Sequence, residues 1–152
     1  MITSDFKQKV KRFCAQIGAD PLLVQGAGGN VSWKEEESIW IKASGKWLAN
    51  AETDEIFVKV DHKLLLRSLK LKDFNVVPKV MIETDLRPSI ETHMHSLLPH
   101  KIVIHVHAIE VLACLVQINA RENLEKVIGN TFNWTYVDYF KPGAELAEAV
   151  SE

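Results

Sequence analysis

The sequence predicts a layered α/β (α+β) domain with a largely antiparallel sheet, and three observations carry that prediction. Short alternating apolar runs stand in hairpin proximity around residues 31–43. Segments with helical apolar spacing are interleaved with them, and glycine or proline breaks separate the two kinds at short intervals. With 152 residues, 47% apolar and 25% charged, the chain is long enough to bury a proper core, and its composition excludes a disordered polypeptide. One domain over 1–152 is expected. A formal net charge of -2 provides no broad field for nucleic acid or an anionic membrane, so an anionic substrate has to be gripped locally.

The elements follow in order. Thr3, Ser4 and Asp5 offer N-caps for a helix whose apolar positions Phe6, Val10, Phe13, Cys14 and Ile17 recur at helical spacing, with Gly18 as its stop. The loop GAGGN, Gly26 to Asn30, feeds a hairpin of 31–33 and 39–43 around a charged turn at 35–37. Residues 56–60 read as a strand, and Asp61 caps a short Leu-rich helix over 62–69. Residues 76–81 read as extended. Arg87-Pro88-Ser89 then turns into a helix over 91–98 with Ser89 as cap, because the residue before a proline avoids the helical region. A β-branched run beginning at Lys101 is a strand, 108–116 and 122–128 are helical, and Gly129 closes the second of these. Residues 134–137 are a candidate strand, and Pro142-Gly143 introduces a last helix from 144 to about 150.

The N-terminus, MITSDFKQKVKRF, has no apolar signal core, and no apolar run reaches membrane-spanning length. Cys14 and Cys114 lie in apolar helical contexts, as buried, reduced thiols do. These features together predict a cytoplasmic protein.

The chemistry concentrates in KIVIHVHAIEVLACLV, residues 101–116, where His105 and His107 interrupt an apolar run. Residues i and i+2 of a strand face one side, so both imidazoles can converge on a cation. Polar rings in such a strand cost stability unless something satisfies them. The plainer reading is a pair of surface or hydrogen-bonded histidines. Glu91 and His95, four apart in the preceding helix, share a face and bring a carboxylate near this pair, which suits acid–base work. Gly29 and Asn30 in the glycine loop, and Ser44-Gly45 after the hairpin, read as phosphate-grip turns that expose backbone N–H groups. Ser89 at a helix start would add a third anion-facing edge, although simple capping explains it equally well. His62, His93 and His100 read as surface residues.

Five separated motifs, QGAGGNVS, IKASGKWL, LRPSIETHMH, HVHAIEVLA and DYFKPGAELAEAV, occur in this order and resemble the class II aldolase/adducin family from about Gly26 to Val150. Their wording looks closest to the rhamnulose-1-phosphate aldolase-like branch. The resemblance implies a three-layer αβα domain around a mainly antiparallel sheet. It implies zinc held by His105 and His107, Glu91 as the proton-transfer residue, and Gly29, Asn30, Ser44, Gly45 and Ser89 at the substrate phosphate. It also implies a homo-oligomer, tetrameric in the family.

The family's third zinc histidine lies beyond the PGxxELAxxV helix, and no histidine follows His107 here. The expectation is therefore a domain incomplete at its C-terminus, in which Glu91 or His95 could complete the ligand set. The activity implied is retro-aldol cleavage of a phosphorylated ketose to a dihydroxyacetone-phosphate-type fragment and an aldehyde. Alternatives are a sister epimerase or dehydratase, a non-catalytic adducin-like scaffold, or a sugar-phosphate binder.

Overall fold

The computed structural model describes residues 3–152. Helix α1 (Ser4–Gly18) starts where the side chain of Thr3 accepts the Phe6 N–H at 3.2 Å. The sheet is built from β1 (Asn30–Glu35), β2 (Ser38–Lys42), β3 (Phe57–Asp61) and β4 (Ile102–His105), in the order β3-β2-β1-β4. Every pairing between neighbours is antiparallel. Register is fixed by cross-strand partners, among them the stacked pair Trp33 and Trp40, with ring centroids 5.8 Å apart. Helix α2 (His62–Lys70) follows β3 directly, capped by the Asp61 carboxylate on the Leu64 N–H at 2.9 Å. Then come α3 (Thr92–Leu97), α4 (Ile109–Leu115), α5 (Ala120–Ile128) and α6 (Ala144–Ser151).

Strand alternation divides the core into two. Val31 and Trp33 pack with Val10 and Cys14 of α1 and with Leu48, Ile56 and Phe57. Burial pushes the Cys14 thiol up to about 12, so it is an inert core residue. Ile39, Ile41, Val58 and Val60 pack with Leu65 and Leu69 of α2 and Ala147 of α6, while Met94 and Leu97 of α3 lean on the same cluster. The sheet therefore lies between α1 and the group α2, α3 and α6, the layered arrangement expected. Contact with the α1 layer is close enough that a Cβ on Gly18 would sit 2.3 Å from the Ala49 nitrogen.

Several expectations need correction. Residues 76–81 form no strand and contribute an isolated Val60–Val80 bridge, with the Met81 N–H donated to the Lys59 carbonyl at 2.9 Å. Residues 134–137 form no strand either; Trp134 Nε1 instead donates to the Gly129 carbonyl at 3.0 Å. Helix α3 begins at Thr92 with Glu91 at its N-cap position, so Ser89 is not the cap; its Oγ accepts the Glu91 N–H at 3.3 Å. Strand β4 ends at His105, leaving His107 in the irregular segment that follows, where its N–H is donated to the Leu23 carbonyl at 2.8 Å. His62 is buried, with Nε2 3.2 Å from the Ser96 carbonyl, and His93 is half-buried against the Val76 carbonyl at 2.7 Å. Cys114 is half-buried. Among the described residues, no helix is long and apolar enough to cross a membrane.

Candidate active site

The C-terminal end of β4, the N-terminal end of β1 and the start of α3 meet at one place. Asn30 pairs with His105 across the β1–β4 ladder, so both side chains emerge on the same face of the sheet. Glu91 reaches that face from the start of α3, and its Oε2 lies 2.8 Å from His105 Nδ1. The same oxygen accepts from Asn30 Nδ2 at 2.5 Å. His107, although outside the strand, turns back so that its ring centroid stands 4.9 Å from that of His105, edge to face.

This closeness depends on the glycine loop. Gly29 has φ +62, and a Cβ there would lie 2.9 Å from the His105 carbonyl oxygen. A Cβ on Gly28 would lie 3.0 Å from His107 Nδ1. The backbone of the loop thus lies against both histidines, an approach that a side chain would prevent.

Burial alone would raise the Glu91 pKa. Hydrogen bonds from His105 and Asn30, with the field of His105, outweigh it and hold the carboxyl below its ordinary value. Glu91 is therefore an ionised proton acceptor at neutral pH. A carboxylate has no proton to give, so His105 must carry its proton on Nδ1 to make this bond. His107 is pushed below the usual histidine range by burial and by His105, which leaves a neutral ring with a free lone pair.

The three segments expected to grip phosphate are drawn together. The Ser44 N–H is donated to the Arg87 carbonyl at 2.9 Å, and Ala43 bridges Pro88. Ser44 and Gly45 are exposed, Gly45 at φ +74, whereas Gly29, Asn30 and Ser89 are buried. Lys42, 2% exposed, ties the glycine loop to the 43–46 turn by donating to the carbonyls of Ala27 at 3.0 Å and Lys46 at 2.6 Å. Its ammonium also feels the Glu91 carboxylate. Sequence reading passed over Lys42, although a lysine ending the apolar run of β2 was a usable signal. Asn30 is placed differently from a free phosphate donor, because its amide nitrogen is committed to Glu91.

Two imidazoles on one tetrahedral zinc have ring centroids roughly 5 Å apart, given Zn–N bonds of about 2.0–2.1 Å. The His105–His107 separation fits that spacing. His95 does not, at 6.5 Å from His105, and Glu91 is hydrogen-bonded to a ring nitrogen. Among the described residues, no group of three His, Cys, Asp or Glu side chains is arranged to hold a metal. The donor chemistry suits a divalent cation, and His105 and His107 are the two side chains that could hold one. A cleft of about 300 Å³ lined by Lys7, Lys11, Trp33 and Trp40 lies on the α1 side of the sheet and includes none of these groups.

An antiparallel four-stranded sheet between helices, with an acid–imidazole cluster beside glycine turns, defines a layered α/β domain with a polar site at one sheet end. Residues 8–152 match the class II aldolase and adducin N-terminal domain family, and the chain belongs to it. It is 32% identical over 151 residues to an uncharacterized oxidoreductase, YuxG, of Bacillus subtilis (strain 168). That match takes in 90% of this chain and only 22% of the relative, so the chain spans about a fifth of that protein's length. The N-terminal class II aldolase domain of a conserved Thermoplasma acidophilum protein superposes with a TM-score of 0.78 at 26% identity, covering 99% of this chain and 76% of that one. L-fuculose 1-phosphate aldolase shares the fold, with a TM-score of 0.54 at 23% identity over 76% of this chain and 50% of that one.

Proposed function

We propose that this domain carries the metal-dependent retro-aldol site of a sugar-phosphate lyase. It would cleave a phosphorylated ketose into a dihydroxyacetone-phosphate-type fragment and an aldehyde. The observation that carries the reading is the His105–His107 pair with the ionised Glu91 carboxylate on His105 Nδ1. His105 and His107 would hold a divalent cation, zinc by preference for imidazole. When bound, it supplies Lewis-acid stabilisation of the charge that develops on the substrate oxygens.

The remaining work falls to the chain itself. Cleavage removes a hydroxyl proton, breaks the adjacent carbon–carbon bond and leaves an enediolate that must be protonated at carbon. Glu91, ionised and oriented by Asn30 and His105, is the group that accepts and returns that proton. The exposed Ser44-Gly45 turn would hold the phosphate through the Ser44 hydroxyl and the Gly45 N–H, with Gly29, Asn30 and Ser89 behind it. The wording of the motifs favours a rhamnulose-1-phosphate-like ketose; epimerisation or dehydration of a related sugar phosphate would use the same groups. A homo-oligomer in the cytoplasm completes this reading.

A second reading, a non-catalytic scaffold or sugar-phosphate binder, is favoured by the lack of a three-ligand cluster among the described residues. Zinc binding separates the two. Equilibrium dialysis of the full chain should show one zinc per chain, lost in the His105→Ala/His107→Ala variant. Equal zinc content in both proteins would leave the scaffold or binder.

A further inference from the structure

Asn30, Ser32 and Lys34 alternate along β1, and each meets the α3 segment. Asn30 Nδ2 donates to Glu91, and Ser32 Oγ lies 2.8 Å from His95 Nδ1. Lys34 Nζ donates to the carbonyls of His95 at 3.0 Å, Leu98 at 2.7 Å and His100 at 2.8 Å. The spacing explains why the contacts stay in step. Two strand residues advance about 6.7 Å and four helical residues about 6 Å, so positions 30 and 32 match positions 91 and 95. Strand and helix are joined by polar rungs at the very height where Glu91 must meet His105.

The middle rung is the unexpected one. His95 is fully buried, and its Nε2 has no hydrogen-bond partner. A leucine at 95 opposite an alanine at 32 would fill the space without stranding a polar atom. The contact that the imidazole does make is with Ser32, one turn of helix beyond Glu91. Its ring is too far from His105 to share a tetrahedral ion with it.

We propose that His95, anchored on Ser32, is a positioning residue that sets α3 on β1 so that the Glu91 carboxylate reaches His105 Nδ1 and keeps the His105 proton there. The consequence for metal binding rests on the function proposed above; the consequence for the His105 proton does not. Carboxylate orientation of a ligand histidine is worth about 10–100-fold in metal affinity. Loosening α3 should therefore cost a sizeable part of that factor.

The test uses the full chain and two readouts. Long-range ¹⁵N NMR of the metal-free protein reports which His105 nitrogen carries the proton, and competition with a chromogenic chelator reports zinc affinity. Ser32→Ala/His95→Leu removes both partners, so it leaves no stranded buried group and should fold. In it, His105 should lose its preference for the Nδ1-protonated form, and zinc affinity should fall about tenfold. Ser32→Thr, which keeps the hydroxyl, and His95→Asn, which puts an amide where Nδ1 stood, should both retain the wild-type His105 signal. Should the double variant not fold, Ser32→Ala against Ser32→Thr makes the same comparison. An unchanged His105 signal in folded Ser32→Ala or in the double variant overturns the proposal, as does a wild-type His105 protonated on Nε2. Failure of the wild-type protein to bind zinc overturns the metal reading alone, and the His105 signal still decides the positioning role.

Discussion

Lowering the pH from 7 to 4 protonates His95 almost completely in the unfolded chain but only about half of it in the folded protein. Burial, aided by the nearby His105, drops its pKa from 6.5 to about 4. A histidine whose folded pKa is depressed favours the neutral native state. Its contribution is present above pH 6.5 and is lost as the pH falls through that value to about 4. At about 1.4 kcal/mol per pKa unit, the loss by pH 4 is about 3 kcal/mol, a large share of a typical stability of about 5–15 kcal/mol. His62 and His107, also pushed down by burial, act in the same direction. Glu91, held below 4.5, adds its own loss at lower pH. Urea unfolding of the wild type and His95→Asn at pH 7, 6, 5 and 4 isolates the His95 share, since asparagine takes up no proton. The stability advantage of the wild type should shrink by about 3 kcal/mol between pH 7 and pH 4. Parallel curves for the two proteins would show that His95 is not held neutral by burial.

Two substitutions probe the loops around the site. Gly29→Ala places a Cβ at φ +62 and 2.9 Å from the His105 carbonyl, so it should lower stability by about 2–4 kcal/mol in thermal unfolding and weaken zinc binding by displacing β4. Lys42→Met strips the donor from the Ala27 and Lys46 carbonyls; it should cost about 2–4 kcal/mol in urea unfolding and loosen binding of a ketose phosphate measured by calorimetry.

Much of this arrangement is legible in the sequence. The first helix, the hairpin, β3 and its Asp61-capped helix all announce themselves by local periodicity and caps, because each buries a face set by its own residues. The His105–His107 pair was legible as a convergence, although the reason differs in part. Strand geometry places His105, whereas an irregular segment hydrogen-bonded to Leu23 places His107. What local pattern cannot show is partnership across the chain. Residues 76–81 and 134–137 carry strand-like composition, but the first meets the β3 edge only around Val80 and the second pairs with no strand among the described residues. His62 looks like a surface residue at a helix start until α3 covers it with the Ser96 carbonyl. Lys42 and Ser32 matter through residues 15 and 63 positions away, a distance that no periodicity records.

Single-turnover release of triose phosphate decides whether an ionised Glu91 beside two imidazoles cleaves a phosphorylated ketose. Zinc-supplemented wild-type protein would be compared with Glu91→Gln across a panel of ketose 1-phosphates. The wild type should release triose phosphate from at least one ketose, at a rate at least about 100-fold above that of Glu91→Gln, with zinc binding kept within a factor of about ten. Equal rates in the two proteins, or no release by a wild type that holds its zinc and binds the sugar phosphate, would contradict that role of Glu91.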